Sequence, residues 1–299
     1  MKLWQYAVIV FLGGCCFGVL STFVKLAYAA GFSLAEVTGS QFLFGTMLIW
    51  TIVLFTKKVK INRKQSVQLL LSGAPMGLTG VFYYQSLQTL EASLAIIFLF
   101  QFVWIGTLLE WGIAKKTPTK SKLVAITILL LGSALASGVL REGVASLSWQ
   151  GAVWGMLAAI TFATFIYVSG SVGQGLPPVF KSAMLSSGGL IVVLLLFPPL
   201  FLGDLSVLVG VAPYGMFLGL FGVALPPLLF SIGMPQVGPG LGTILSAAEL
   251  PVAVIMSAVV LAEVVTFLQW IGVLLILLAI TFANIGTIKG HNRDRLVAS

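Results

Sequence analysis

The property that most narrows how this chain can fold is that its first half is written again in its second. WQYAVIVFLGGCCFG, beginning at Trp4, returns as WQGAVWGMLAAITFA, beginning at Trp149, with Trp, Gln, Ala, Val, Leu and Phe at matching positions. Gly14 and Gly18 of the first copy fall opposite Ala159 and Ala163 of the second, which preserves a small-xxx-small ridge along which helices approach closely. Another pair agrees in the same order. Gly73, Gly77, Gly80 and Val81 correspond to Gly215, Gly219, Gly222 and Val223, so GxxxGxxGV occurs twice. A repeated unit constrains architecture more than any single residue, because both copies must take up one local fold.

The repeated material is apolar. Runs rich in Leu, Val, Ile, Phe, Gly and Ala lie at about 3–28, 35–56, 66–88, 92–113 and 122–139, then at about 149–170, 178–201, 210–231, 239–262 and 266–288. At ~1.5 Å of rise per residue, runs of about twenty residues cross a hydrocarbon core of ~30 Å. With 59% hydrophobic and 8% charged residues and a mean hydropathy of +1.11, the chain has too little polar surface to coat a water-soluble globule. An outer-membrane barrel would instead show alternating segments of about ten residues. The expected fold is an all-α integral membrane protein with ten transmembrane helices. The weakest separations are between the third and fourth runs, marked by Glu91, and between the ninth and tenth, marked by Glu263 and Thr266.

Five helices per repeat is an odd number, so the second copy enters the membrane from the opposite side and the repeats are inverted. The expected division is a first repeat over 1–140, a second over 149–288 and a cytoplasmic tail over 289–299. Basic residues in short loops set the orientation. Lys57, Lys58, Lys60, Arg63 and Lys64 follow the second run, Lys115, Lys116, Lys120 and Lys122 the fourth, Lys181 the sixth, and Lys289, Arg293 and Arg295 the tenth. The alternate loops carry Arg141 alone, with Glu91, Glu142, Asp204 and Glu263. Both termini are therefore expected in the cytoplasm, with the chain a multi-pass protein of the cell (inner) membrane. Trp4, Trp50 and Trp111 fall near the inner interface and Trp149 and Trp270 near the outer one.

The net charge of +8 does not point to nucleic acid, because its basic residues sit in short clusters between apolar runs. A secretory leader is opposed by the length of the run from Leu3 to Val24 and by Lys25, just before the small residues Ala27 and Ala29. Cys15 and Cys16 are adjacent and poorly placed for an unstrained disulfide. No nucleophile triad, phosphate loop, metal cluster or ATPase module can be assembled from the sequence, so neither an enzyme nor a cofactor is expected.

Ten helices in a five-plus-five inverted repeat, about 300 residues and short loops resemble the EamA-type branch of the drug/metabolite transporter superfamily. The resemblance covers nearly the whole chain. Its local signature is a fourth helix of each half with a small-residue start, an acidic-or-polar then Pro centre, and a distal Glu. The second half carries Gly240-Leu241-Gly242, then Glu249-Leu250-Pro251, then Ala262-Glu263. The first half departs from it. Ser93-Leu94-Ala95 supplies the start, but Gln101-Phe102 stands at the centre, Lys116 near the end, and Glu110 more than a turn inside it. The resemblance implies a transporter whose substrate site lies near the midplane between the repeats. It leaves open a role for Glu110 and the identity of the substrate.

Glu249 is the leading site candidate, because a carboxylate halfway through a membrane helix is costly and calls for a purpose. Gly242, Ser246, Glu249, Ala253 and Ser257 share a small, polar helix face, with Ile244, Val252, Ile255 and Val259 opposite. Either Glu249 binds an amine or exchanges a proton coupled to transport, or it is a neutral, hydrogen-bonded strut between helices. Pro251 can kink the helix and free carbonyl groups for a cavity. Gln101 at nearly the repeat-equivalent depth, with Trp104 one turn below, is a candidate substrate contact or an interhelical bond. Tyr84 and Gln88, flanked by Tyr83 and Gln85, either line a pocket or anchor at the interface. Thr161, Thr164 and Tyr167 are candidates whose hydroxyls alternatively bond backbone. Lys25 either snorkels or gates anions. Pro226 and Pro227 mark a break or hinge, and Pro198-Pro199 a helix end.

The function expected is a secondary active transporter moving a small organic metabolite, such as an amino acid or amine, by alternating access. Export and proton coupling are further expectations, for a monomer or homodimer. A flippase for a lipid-linked substrate, an uncoupled facilitator, a membrane-embedded enzyme and a non-transporting receptor are the alternatives.

Overall fold

The computed structural model describes residues 2–57, 59–90, 92–115, 117–138 and 148–298, with side chains at all of these except 92, 93 and 285–298. Lys58, Glu91, Lys116, Arg141 and Glu142, used above as topology markers, lie outside the described residues. The first half consists of α1 (Leu3–Gly18), α2 (Leu20–Ala29), α3 (Leu34–Leu54), α4 (Arg63–Ser86), α5 (Ala92–Phe100), α6 (Phe102–Ala114) and α7 (Lys120–Ala136). The second consists of α8 (Trp149–Ser171), α9 (Pro178–Leu196), α10 (Leu205–Gly219), α11 (Leu225–Val237), α12 (Pro239–Ser246), α13 (Glu249–Val260) and α14 (Phe267–Ala298).

Four long units are interrupted: α1 runs into α2, α5 into α6, α12 into α13, and α10 into α11 through a π turn at Leu220–Ala224. Counted this way, the described residues form ten helical units. Eight are long and apolar enough to cross a membrane. The other two are α4, whose first turns carry Arg63, Lys64, Gln65 and Gln68, and α7, which has 17 residues. The last unit does not stop near 288, since the backbone of α14 continues to Ala298.

Local chemistry sets the ends. Ser33 and Glu36 form a reciprocal cap on α3, the Glu36 carboxylate accepting from Ser33 N at 2.7 Å, and Asn62 with Gln65 does the same on α4. Asp204 accepts from the Ser206 hydroxyl and from the backbone of Ser206 and Val207 at the start of α10, and these bonds, the hydroxyl's first, hold its carboxyl below the usual carboxylate range. The helix α9 ends at Leu196, just before Pro198-Pro199.

The GxxxG motifs do the same work in both halves. Each half's third unit crosses the other half's second: α4 packs on α9, and α10 on α3. A Cβ on Gly77 would sit 3.0 Å from Gly189 Cα, and one on Gly219 would sit 2.9 Å from Gly45 Cα. At such a crossing only Gly lets the two backbones meet. The fifth units, α7 and α14, pack on each other. These reciprocal pairings make the two five-helix halves interlock.

One topology marker is corrected. Lys181 is not a loop charge: it lies one turn inside α9, is 2% exposed, and its Nζ donates to the Ser169 carbonyl at 2.6 Å. Pro178 starts the helix early enough to carry Lys181 inward, where its long side chain reaches an otherwise uncapped carbonyl at the end of α8.

Candidate functional site

The site is built where α1 crosses the unit formed by α12 and α13. Gly14 and Gly18 make that crossing close: a Cβ on Gly14 would sit 2.8 Å from Ser246 Cα, and one on Gly18 would meet the Glu249 carbonyl and lie 2.7 Å from Val252 Cβ. Pro251 lacks the N–H that would bond the Ala247 carbonyl, and the helix breaks there into i→i+3 bonds, Ala247 N to Ile244 O at 3.2 Å and Ala248 N to Leu245 O at 3.2 Å. Glu249 is the first residue after the break.

Glu249 lines a cavity of about 100 Å³ with Phe17, Gln41, Met76, Tyr83, Tyr84 and Phe162 among its other walls. It is 6% exposed, and its Oε1 has no hydrogen-bond partner. Opposite it, the Tyr84 hydroxyl donates to Gln41 Oε1 at 3.0 Å. The Thr79 hydroxyl, also in the wall, has one proton to give, with the Pro75 carbonyl at 2.7 Å and Thr161 Oγ1 at 3.0 Å both within reach.

On the side that carries the N-terminus, aromatic rings pack against the cavity. Phe17 meets Phe162 edge-on at 5.2 Å between ring centroids, Phe162 stacks near Phe165 at 6.5 Å, and Phe230 lies 6.0 Å from Phe17 and 6.1 Å from Phe165. Aromatic pairs of this kind pack densely. Beyond them, at the same end of the bundle, Glu110 and Lys122 form a half-buried ion pair pressed against Gly240, where a Cβ would collide with both side chains.

On the other side the cavity adjoins a vestibule of about 660 Å³, and Ser21, Tyr83, Ile96 and Ala253 are walls of both. At its mouth Lys25 Nζ meets Glu263 Oε1 at 3.1 Å, with side chains 46% and 48% exposed. Ala262 stands at φ +54°, a left-handed conformation costing a non-Gly residue roughly 1–2 kcal/mol. It turns Glu263 back so that Ser257 Oγ donates to the other carboxylate oxygen. Burial pushes the Glu263 carboxyl up, but the hydrogen bonds from Ser257 and Lys25 and the Lys25 charge outweigh it and leave it below the usual range.

Of the residues singled out from the sequence, Glu249 and Tyr84 meet at the cavity. Thr161 stands behind its wall, bonded by Thr79 and donating to Leu157 O at 2.9 Å. Ser246 is fully buried under Gly14 and donates to the Gly242 carbonyl. Gln101 sits at the break between α5 and α6. Its Nε2 donates to the Ile97 carbonyl at 3.0 Å and its Oε1 accepts from Trp104 Nε1 at 2.7 Å. Gln88 is exposed beyond the end of α4, and Tyr167 is half-buried in the last turns of α8. Thr164 donates to Ile160 O and lines a separate lateral hollow with Lys64 and Pro75. Pro226 and Pro227 follow the π turn, and the Val223 carbonyl, which Pro227 cannot bond, accepts from Ser186 Oγ at 2.7 Å.

Sequence reasoning missed Gln41. The available signal was an amide inside the apolar helix α3, the same signal that drew notice to Gln101.

The model of the EamA-like transporter family matches residues 4–138 and again residues 149–285. A solved structure described only as the crystal structure of a protein superimposes with a TM-score of 0.73 at 14% identity, covering 95% of this chain and 98% of its own. That likeness shows the fold alone. No curated protein matches.

Proposed function

The chain belongs to the EamA-like transporter family, and from that premise we propose that it is a secondary active transporter that carries a small organic solute with an amino group, bound at Glu249. The observation that carries this reading is the buried Glu249 oxygen left without a hydrogen-bond partner in the wall of a cavity. An unsatisfied buried carboxylate is expensive, and an ammonium or a proton is what would satisfy it. Competition between the two for one carboxylate is the simplest form of proton-coupled exchange.

The cavity's position supports alternating access. Access runs through the vestibule, and release on the opposite side requires Phe17, Phe162, Phe165 and Phe230 to part. The basic residues Lys57, Lys60, Arg63, Lys64, Lys115 and Lys120 gather on the N-terminal face, which by the positive-inside rule is cytoplasmic. The present conformation then opens away from the cytoplasm, as an exporter in the plasma (inner) membrane does when it releases its substrate. The lateral hollow at Lys64, Pro75 and Thr164 shares no lining residue with the cavity, which favours a path enclosed by protein over a lipid-facing groove.

The test is solute flux in proteoliposomes under an imposed pH gradient. Glu249→Gln should abolish gradient-driven accumulation while the variant still folds. Undiminished accumulation by the variant would remove Glu249 from the mechanism.

A further inference from the structure

We infer that the cavity selects an apolar amine without a carboxylate, so that a monocation is accepted and the zwitterion of the same carbon skeleton is refused. This narrows the reading above and rests on it.

Charge separates the monocation from the zwitterion. Among the described residues lining the cavity, Glu249 is the one ionisable acid, and no Lys, Arg or His accompanies it. A substrate ammonium beside Glu249 satisfies the orphaned oxygen. A carboxylate on the next carbon would be held beside a like charge, with no cation to offset it.

Two of the hydroxyl donors in the cavity wall, on Tyr84 and Thr79, are already committed. The Tyr84 hydroxyl is spent on Gln41 Oε1, and the single Thr79 hydroxyl proton is taken up by the Pro75 carbonyl or Thr161. The Gln41 amide nitrogen is pressed against Gly222, where a Cβ would lie 2.5 Å from it. A buried carboxylate needs several donors, and those left, on Ser21, Tyr83 and Gln41, are all neutral.

The nearest described cation along the path is Lys25, and Glu263 already holds it. Lys25 is seven residues beyond Gly18, whose backbone touches Glu249, which places it roughly 10 Å farther along the helix. The ammonium and carboxylate of an α-amino acid share one carbon and cannot reach both groups.

The remaining walls favour an apolar cation. Phe17, Phe42, Phe162, Phe165 and Tyr83 present ring surface, which attracts a cation and shelters hydrocarbon. The volume of about 100 Å³ is below the ~150 Å³ of an apolar cavity that holds benzene, which suits a compact aliphatic amine.

The test uses three probes with one branched skeleton, isobutylamine, valine and isovalerate, in thermal melts of the purified full-length protein, since ligands of the native state raise its stability. Isobutylamine should raise the melting temperature at concentrations at least about tenfold below those valine needs, and isovalerate should have no effect. Glu249→Gln should lose the response to isobutylamine. Ser21→Lys, which adds a cation where cavity and vestibule meet, should bring valine closer to isobutylamine. If valine matches or exceeds isobutylamine and its effect depends on Glu249, the selectivity is overturned and the transporter reading stands. If isobutylamine has no effect at millimolar concentration, the selectivity is likewise overturned. If its effect is the same in Glu249→Gln, the assignment of Glu249 as the binding group falls as well. The wild-type comparison of amine with zwitterion decides the selectivity even where a variant fails to fold.

Discussion

Gly18 and Glu249 meet backbone to backbone: the first helix passes so close to the broken ninth unit that any Cβ on Gly18 would collide with the Glu249 carbonyl. The crossing fixes where the Glu249 side chain leaves its helix, and thus places the unpaired carboxylate in the cavity wall. Overpacking of this kind typically costs about 1–3 kcal/mol. Gly18→Ala should therefore lower the melting temperature and reduce transport together, whereas Ser21→Ala, one turn along, should leave stability nearly unchanged. Thermal melts and flux measured on the same preparations check this; a Gly18→Ala protein with wild-type values for both would contradict the close crossing.

Ser186 answers for a proline. Pro227 cannot donate to the Val223 carbonyl, and the buried Ser186 hydroxyl does so from α9. Removing it leaves a buried acceptor unsatisfied, at a cost of about 1–3 kcal/mol. Ser186→Ala is expected to be destabilised by that order, and Ser186→Thr, which keeps the hydroxyl, by less. Equal melting temperatures for wild type and Ser186→Ala would mean that the π turn satisfies its carbonyl in another way.

The link at the vestibule mouth carries a pH signature. The Glu263 carboxyl is held below its usual range, so its contribution is present above the unfolded-state value of about 4.3 and is lost as pH falls through the lower folded-state value. The pair is half exposed, so the effect is small. The difference in melting temperature between wild type and Glu263→Gln should stay constant from neutral pH down to about 5 and close only at more acid pH. A difference that closes between pH ~7 and ~6 would show another group in control.

Much of the architecture was legible because it is written twice. The paired GxxxGxxGV motifs specify two close crossings, and those crossings join each half's third unit to the other half's second. Glu249 was legible because a carboxylate in an apolar span is conspicuous, and Pro251 because it removes a backbone donor. The break at Gln101 was less so: no proline marks it, and the Gln101 side chain itself takes the Ile97 carbonyl. Lys181 misled because a charge near a segment boundary reads as a loop charge, whereas its long stem lets the ammonium cap a neighbouring helix. Gln41 was missed because helical periodicity shows which residues share a face but not which neighbouring helix fills it. Its importance comes from meeting Tyr84, forty-three positions away.

A solute bound at the Glu249 carboxyl should shield that carboxyl from chemical modification. The most direct measurement is mass-spectrometric mapping of carboxyl groups modified by a hydrophobic carbodiimide, with and without isobutylamine. Glu249 should be modified at a rate that isobutylamine slows in a saturable way, while modification of Glu36, half-buried in the capped first turn of α3, should be unaffected. Modification of Glu249 at the same rate with and without a saturating amine would contradict binding at that carboxyl.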